Sequence, residues 1–241
     1  MKEMFERIYT GSSEDYYKKL KKYVDKGTKK FILTANPEML YIAKENKVLK
    51  DAIMNKENDV VSDGIAIKKM AKYYGINIQD RIPGCDIANL LLNYGAKKKK
   101  SIYLFGAEEE VVKALADLTK TKYKGLKLLG YTNGYEKDKE KAFEEAVKLN
   151  PDICLVALGI PMQEELIISG INKAKKGIYV GVGGSFDVLS GTKKRAPKLF
   201  IKLNLEWFYR IFKEPKRLKR FYKYNIKFCQ EVIKDSKKAK K

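Results

Sequence analysis

Short, nearly continuous apolar runs alternate along the chain with longer stretches whose apolar residues recur at the spacing of one helical face. This alternation is typical of βαβ units, in which helices connect parallel strands. The predicted strands span residues 31–34, 59–62, 101–105, 126–130, 153–158 and 178–182. The predicted helices span residues 37–55, with a break near Asn46, and 65–74, 86–96, 108–121, 137–149 and 161–174. Because the strands are apolar throughout, we expect an α/β fold with a mostly parallel, doubly wound (Rossmann-like) sheet of about six strands.

Polar residues and glycines follow every predicted strand. In a parallel sheet the carboxyl ends of the strands share one edge, and ligands bind in the crevice beyond it. We therefore expect the residues at these ends to line one site. A lone polar residue there is more often a helix N-cap, and for Asp63 the alternative is a cap of the helix predicted at 65–74. The candidate site residues at the strand ends are Thr34, Asn36, Asp63, Gly106, Tyr131, Gln163, Gly183, Gly184 and Asp187.

The composition removes several classes of chemistry. The 241 residues include no histidine, which excludes catalytic triads with a His base and His-based metal sites. The three cysteines, Cys85, Cys154 and Cys229, form no CxxC pair and indicate reduced thiols in a cytoplasmic protein. No DxD pair is present to hold a metal against a diphosphate, so we expect no metal and no cofactor, although other oxygen-ligand sites stay open. Residues 181–186 (GVGGSF) begin like a dinucleotide fingerprint, but Phe186 occupies its third glycine position, which disfavours a nicotinamide-dependent oxidoreductase.

Positive charge is concentrated in the last fifth of the chain. Residues 193–241 hold 18 Lys or Arg and four acidic residues, so that +14 of the total charge of +21 lies there. Large apolar residues are interleaved with these cations and form two helical faces over residues 199–212. One face would pack on the core, and the other would meet lipid or a partner subunit, which leaves a homo-oligomer open. We therefore divide the chain into an α/β domain (1–195) and a basic, amphipathic helical appendage (196–241).

The charge pattern favours a polyanionic partner, either nucleic acid or an anionic membrane surface. Against nucleic acid, the cations are concentrated on the appendage, whereas the polar strand ends form a separate, more neutral pocket. No apolar run approaches the about 18 residues that a membrane span needs, and the polar N-terminus does not read as a signal peptide. We therefore expect a peripheral protein at the membrane, and no nucleic-acid partner.

Several motifs, in order and at consistent spacings over about residues 5–225, carry a resemblance to a known family. They are Thr34-Ala35-Asn36-Pro37, Asp63-Gly64, residues 81–86 (RIPGCD), 158–164 (LGIPMQE), 181–191 (GVGGSFDVLSG), 195–197 (RAP) and 205–220 (LEWFYRIFKEPKRLKR). Together they resemble the WecG/TagA/CpsF family of bacterial glycosyltransferases, and within it the chain is most similar to the TagA members.

The resemblance implies an inverting, metal-independent transfer of N-acetylmannosamine (ManNAc). UDP-ManNAc would donate the sugar to the C4 hydroxyl of N-acetylglucosamine (GlcNAc) on an undecaprenyl-diphosphate lipid, in the synthesis of the wall teichoic acid linkage unit. Family members that transfer another sugar, such as ManNAc uronic acid or glucose, share these motifs and remain the alternative. The implied location is the cytoplasmic face of the bacterial cell membrane.

The implied chemistry assigns roles to the candidate residues. Asp63 would be the base for the attacking hydroxyl. Arg81 would neutralise the leaving UDP together with arginines of the appendage, since a guanidinium fork suits phosphate oxygens. Those appendage arginines are Arg210, Arg217 and Arg220.

The remaining candidates would bind the sugar and the nucleotide. Neutral hydrogen-bonding groups suited to the sugar and its acetamido group are Thr34, Asn36 and Gln163. The expected UDP-sugar contacts are Gly106, Tyr131 by stacking on the base, Gly183 and Gly184 by close backbone approach, and Asp187 by accepting from the uracil or ribose.

Overall fold

A single open sheet of six parallel strands forms the centre of the protein, in the order β2-β1-β6-β5-β3-β4. The computed structural model describes residues 1–238, except for the side chains of Lys198, Arg210 and Arg217. The strands are β1 (Lys30–Ala35), β2 (Asp59–Ser62), β3 (Ser101–Gly106), β4 (Lys127–Thr132), β5 (Ile153–Ala157) and β6 (Ile178–Gly181). The predicted α/β fold class, with its parallel sheet and a helical C-terminus, is confirmed.

Helices cover both faces of this sheet. They are α1 (Lys2–Glu6), α2 (Ser13–Lys26), α3 (Pro37–Ile42), α4 (Lys47–Met54), α5 (Ile65–Ala71), α6 (Gly84–Lys97), α7 (Glu109–Thr121), α8 (Lys139–Lys148), α9 (Met162–Ile171) and α10 (Ser185–Leu189). The C-terminal helices are α11 (Lys198–Lys202), α12 (Glu206–Lys213), α13 (Arg217–Phe221) and α14 (Lys227–Lys238), with a π-helical turn at Tyr222–Ile226. A 3₁₀ turn, Lys72–Tyr74, extends α5.

Local capping explains where several helices begin and end. The predicted break near Asn46 is confirmed, because the Asn46 side chain accepts a hydrogen bond from the Leu49 amide at 3.0 Å and starts α4. Helix α2 was not predicted, although Ser12 caps its start and Gly27 ends it in the left-handed conformation. These two residues were the signal that could have found it.

The strands alternate their apolar side chains between two core layers. On one face, Phe31 and Leu33 of β1 pack in a cluster that includes side chains of α3, α4, α8 and α9. On the other face, Ile32 packs with side chains of α2, α6 and α7. Burial on both faces is why the strands are apolar at every position rather than at alternate positions.

The C-terminal helices differ in how they pack on the α/β core. The single helical segment expected over residues 199–212 is instead split into α11 and α12, because Asn204 adopts a left-handed conformation (φ 60°) between them. Farther on, α14 packs on the core, since Phe228 and Val232 are fully buried and Phe228 stacks on Phe5 with ring centroids 6.0 Å apart. The division into 1–195 and 196–241 stays a prediction.

Candidate active site

A cavity of about 350 Å³ opens at the carboxyl edge of the sheet. The segments that follow β1, β2, β5 and β6 line it, together with residues of the C-terminal helices. These four strands are neighbours in the sheet, so their ends meet at one place. The ends of β3 and β4, which form the far side of the sheet, do not line this cavity, and the shared crevice of all six strand ends stays a prediction. The volume of the cavity lies within the usual range for small-molecule sites, about 300–1,000 Å³.

Asp63 lies at the junction of β2 and this cavity. Its backbone amide donates to the carbonyl oxygen of Ala35 at 2.7 Å, which holds the end of β2 against the end of β1. Its carboxylate Oδ2 accepts from the Gly84 amide at 3.3 Å, at the start of α6. Helix α5 has Gly64 at its N-cap with no side-chain cap, so Asp63 is not the cap of that helix. The alternative considered for Asp63 is therefore not observed, and its carboxylate lines the cavity.

Thr34 and Asn36 line the cavity at the end of β1, and both also support the fold. The buried Thr34 hydroxyl donates to the Gly181 carbonyl oxygen at 3.2 Å, which links the ends of β1 and β6. The Asn36 carbonyl oxygen Oδ1 accepts from the Met39 amide at 2.9 Å and caps α3. The atoms left to meet a ligand are therefore the Thr34 oxygen lone pairs and the Asn36 amide nitrogen. Contact with a sugar stays a prediction for both residues.

Gln163 ties two loops of the site together. Its side chain is 2% exposed, and its Oε1 accepts from the backbone amides of Gly159 at 3.2 Å and Gly183 at 2.9 Å. Gly159 follows β5 and Gly183 follows β6, and both have positive φ angles (80° and 49°) that favour glycine. Gln163 therefore determines how these loops face the cavity, in addition to lining it.

Glu164 lies directly behind Gln163, and the sequence analysis gave it no role. Its side chain is 1% exposed, and its Oε1 accepts from the Gln163 amide nitrogen at 2.7 Å. Burial raises the pKa of Glu164 to about 8, so the carboxyl is protonated at neutral pH. A sequence signal existed, because Glu164 lies three residues before the buried Ile167 on the same helical face.

The C-terminal helices close one side of the cavity. Trp207 of α12 and Phe221 of α13 both line it, and their rings stack with centroids 4.6 Å apart and planes within 7°. Arg220 also lines the cavity, where its Nε lies 2.9 and 3.0 Å from the two carboxylate oxygens of Glu38. The side chains of Arg210 and Arg217, the other two appendage arginines, lie outside the described part of the structure.

Two further arginines attach these helices to the core. Arg81 lines the cavity, and its Nη2 donates to the Ile201 carbonyl oxygen at 3.1 Å in α11. Arg195 forms an ion pair with Asp86 of α6 at 2.7 Å and lies 3.5 Å from the Glu206 carboxylate at the start of α12. The sequence analysis gave Arg195 no role. These contacts place the start of α12, and with it Trp207, at the cavity.

Three residues predicted to contact the UDP-sugar do not line this cavity, and their contact with a ligand stays a prediction. Gly106 (φ 108°) packs closely against the backbone of β5, because a Cβ there would lie 2.4 Å from the Ala157 carbonyl oxygen. Tyr131 is an exposed residue of β4, on the far side of the sheet. Asp187 follows the β6 loop but pairs with Lys193 at 3.6 Å instead of lining the cavity. In contrast, Gly183 and Gly184 line the cavity as expected.

Residues 1–238 contain neither a candidate metal-binding cluster nor a candidate membrane-spanning helix. In this part of the chain, no group of three or more His, Cys, Asp or Glu side chains is placed to hold a metal ion. Over the same residues, no helix combines the length and apolarity needed to cross a bilayer.

The protein has an α/β fold with a polar cavity at the strand ends, and comparison with known proteins gives its class. The sequence model of the "Glycosyl transferase WecG/TagA/CpsF family" matches residues 6–241, so the chain belongs to this family of glycosyltransferases. The resemblance found in the motifs is thereby confirmed.

Similar proteins in this family carry a common name, "N-acetylglucosaminyldiphosphoundecaprenol N-acetyl-beta-D-mannosaminyltransferase". The protein of that name from Bacillus subtilis (strain 168) is 37% identical over 220 residues, which cover 91% of this chain and 85% of the relative. The one from Staphylococcus aureus (strain MW2) is 33% identical over 212 residues, which cover 88% of this chain and 82% of the relative.

Proposed function

We propose that this enzyme transfers N-acetylmannosamine from UDP-ManNAc to the C4 hydroxyl of GlcNAc on undecaprenyl diphosphate, in teichoic acid linkage-unit synthesis. The observation that carries the proposal is one cavity that combines a carboxylate, Asp63, with two guanidinium groups, Arg81 and Arg220, in a chain of this glycosyltransferase family. The names of the similar Bacillus and Staphylococcus proteins support the donor sugar and the acceptor.

In the proposed step, the acceptor oxygen attacks the anomeric carbon of the donor sugar. Asp63 takes the proton of the attacking hydroxyl as the new glycosidic bond forms. The bond between the anomeric carbon and the diphosphate breaks, and UDP leaves with its negative charge. Attack from the face opposite the leaving group inverts the anomeric configuration. The step uses no metal and no cofactor, because cationic side chains stabilise the diphosphate.

The leaving diphosphate requires cations at the cavity. Two arginines line it, and they differ in the partner that each one contacts. Arg81 uses one nitrogen for the Ile201 carbonyl oxygen, which leaves the rest of its five-donor guanidinium for phosphate oxygens. Arg220 is paired with Glu38, whose two carboxylate oxygens both lie within hydrogen-bond distance of Arg220 Nε, where a phosphate oxygen could bind instead. We propose that Arg220 exchanges this carboxylate for the diphosphate, with Arg210 and Arg217 as further candidates.

The lipid acceptor requires a membrane-facing surface, and the C-terminal helices supply one. Large apolar side chains stand exposed there among lysines, which suits an anionic interface. The exposed ones on α11, α12 and α13 are Leu199, Trp207, Phe208, Phe212 and Leu218. We propose that this surface attaches the enzyme peripherally to the cytoplasmic face of the membrane, beside the cavity.

The test is a transfer assay with a short-chain, water-soluble GlcNAc-diphospholipid. UDP release and the mass of the product are measured with UDP-ManNAc, and with UDP-GlcNAc and UDP-glucose as control donors. The proposal expects acceptor-dependent release with UDP-ManNAc at a rate at least tenfold above either control. Equal or faster transfer from a control donor would assign another sugar. If no donor is turned over and the protein instead retards DNA or RNA at physiological salt, the nucleic-acid alternative is favoured.

A further inference from the structure

Glu164 is a buried acid that the proposed reaction does not use. It lies on α9 behind the cavity wall, in contact with Gln163 at 2.7 Å. Its second oxygen, Oε2, is buried without a hydrogen-bond partner among the described residues. A buried polar atom without a partner costs stability, so its retention calls for an explanation.

We propose that Glu164 is a positioning residue of the active site, which fixes the orientation of the Gln163 carboxamide. A carboxamide has a donor end and an acceptor end of nearly equal shape, and it can turn around. The two loops of the site require the acceptor end, because both Gly159 and Gly183 present backbone N–H groups to it. Glu164 Oε1 accepts from the other end and thereby selects the required orientation.

The backbone of β6 supports this assignment independently. A Cβ at Gly181 would lie 2.6 Å from the Gln163 amide nitrogen and 2.8 Å from Glu164 Oε1. Both side chains therefore lie directly against the strand, in space that only glycine leaves open. The pair is packed in one place, at the point where β6 leads into the Gly183 loop.

The surroundings of Glu164 favour its neutral form. Burial is the main cause of its raised pKa, and the nearby carboxylates Glu165 and Glu38 raise it further, whereas the Gln163 hydrogen bond opposes the shift. Glu38 is itself paired with Arg220, and Glu165 accepts from the Asn46 amide at 2.6 Å. The neutral acid offers Oε1 as an acceptor to Gln163, and an ionised carboxylate would accept from the same amide, so the proposed orientation does not depend on the protonation state of Glu164.

Three variants separate the possible roles. Glu164→Gln reproduces the neutral acid in shape and keeps an acceptor for Gln163, but it does not titrate. Glu164→Leu removes the acceptor and leaves an apolar side chain of similar size. Glu165→Gln is the matched control, because this neighbouring residue is less buried and its amide oxygen would still accept from Asn46.

The experiment measures UDP release from UDP-ManNAc with the soluble acceptor at pH 7. Glu164→Gln keeps an acceptor for the Gln163 carboxamide and should match wild type within about threefold, as should the control Glu165→Gln. Glu164→Leu should lose about 10- to 100-fold in turnover, as supporting residues behind a site typically do. A Glu164→Leu variant with full turnover, or a Glu164→Gln variant that loses as much turnover as Glu164→Leu, would overturn the proposal.

The activity assay rests on the proposed function, so a second readout that does not depend on turnover is needed. The amide NMR signals of Gly159 and Gly183 should keep their wild-type positions in Glu164→Gln and move in Glu164→Leu, where no acceptor holds the Gln163 oxygen toward these amides. If the signals behave in this way and wild type transfers no sugar, the proposed function fails and the positioning stands. If the signals of Glu164→Leu match those of wild type, the positioning is refuted whatever the activity. Should Glu164→Leu fail to fold, Glu164→Met takes its place.

Discussion

The packing of the C-terminal helix α14 predicts a large stability effect at Phe228. Its side chain is 0% exposed and stacks on Phe5, so Phe228→Ala removes a fully buried aromatic ring. Such a substitution costs about 3–5 kcal/mol in the free energy of unfolding, from lost burial and the cavity left behind. In a protein of this size each kcal/mol lowers the melting temperature by roughly 2–4 °C, so we expect a fall of about 6–20 °C.

Phe212 provides a matched control on the same C-terminal segment. It is 75% exposed, so Phe212→Ala should change the free energy of unfolding by less than about 0.5 kcal/mol. Thermal and guanidinium unfolding, followed by circular dichroism without membranes, measures both variants. Binding to vesicles of anionic lipid should show the opposite effect of the two variants. Phe212→Ala should bind more weakly than wild type, and folded Phe228→Ala should bind as wild type does. If Phe228→Ala unfolds within about 0.5 kcal/mol of wild type, α14 does not pack on the core in solution.

Two further predictions concern the diphosphate. Arg220→Ala should reduce turnover of the soluble acceptor about tenfold or more, because its guanidinium lines the cavity, while Lys219→Ala on the same helix serves as control. Equal turnover of both variants would remove Arg220 from the site. Transfer should also be unchanged in EDTA, since the proposed step uses cationic side chains; loss that Mg²⁺ or Mn²⁺ restores would require a metal ion instead.

The strands and their polar ends were predictable from the sequence for a simple physical reason. Strands buried on both faces are apolar at every position, and this pattern ends where the chain reaches the sheet edge. Thus Asp63 directly follows β2, and Gln163 lies in the first turn of the helix after β5, as expected.

The distribution of these ends between the two halves of the sheet was not predictable. The sequence order of the strands does not state their spatial order, and β5 and β6 insert between β1 and β3. That insertion brings Gln163 and Gly183 to Asp63 and leaves Gly106 and Tyr131 on the other side. Strand order depends on packing between elements that are distant in the sequence, and local patterns do not report on that packing.

The role of Glu164 was hidden for a different reason. A glutamate is rarely fully buried, so its residue type favours an exposed position even though its spacing from Ile167 places it on the buried face of α9. Here its neighbour Gln163 and the absence of a side chain at Gly181 create a polar space inside the protein. Only the three-dimensional arrangement reveals that the acid and the amide act on the same two loops.

The account depends most directly on Asp63 as the base of the transfer. Asp63→Asn keeps an acceptor for the Gly84 amide, so folding and UDP affinity should stay within about twofold of wild type. Turnover of UDP-ManNAc and the soluble acceptor should fall about 10²–10⁴-fold, the usual contribution of a general base. Asp117→Asn, an exposed residue of α7, controls for the loss of one carboxylate. Turnover of Asp63→Asn near the wild-type rate, with chemistry rate-limiting, would contradict the account.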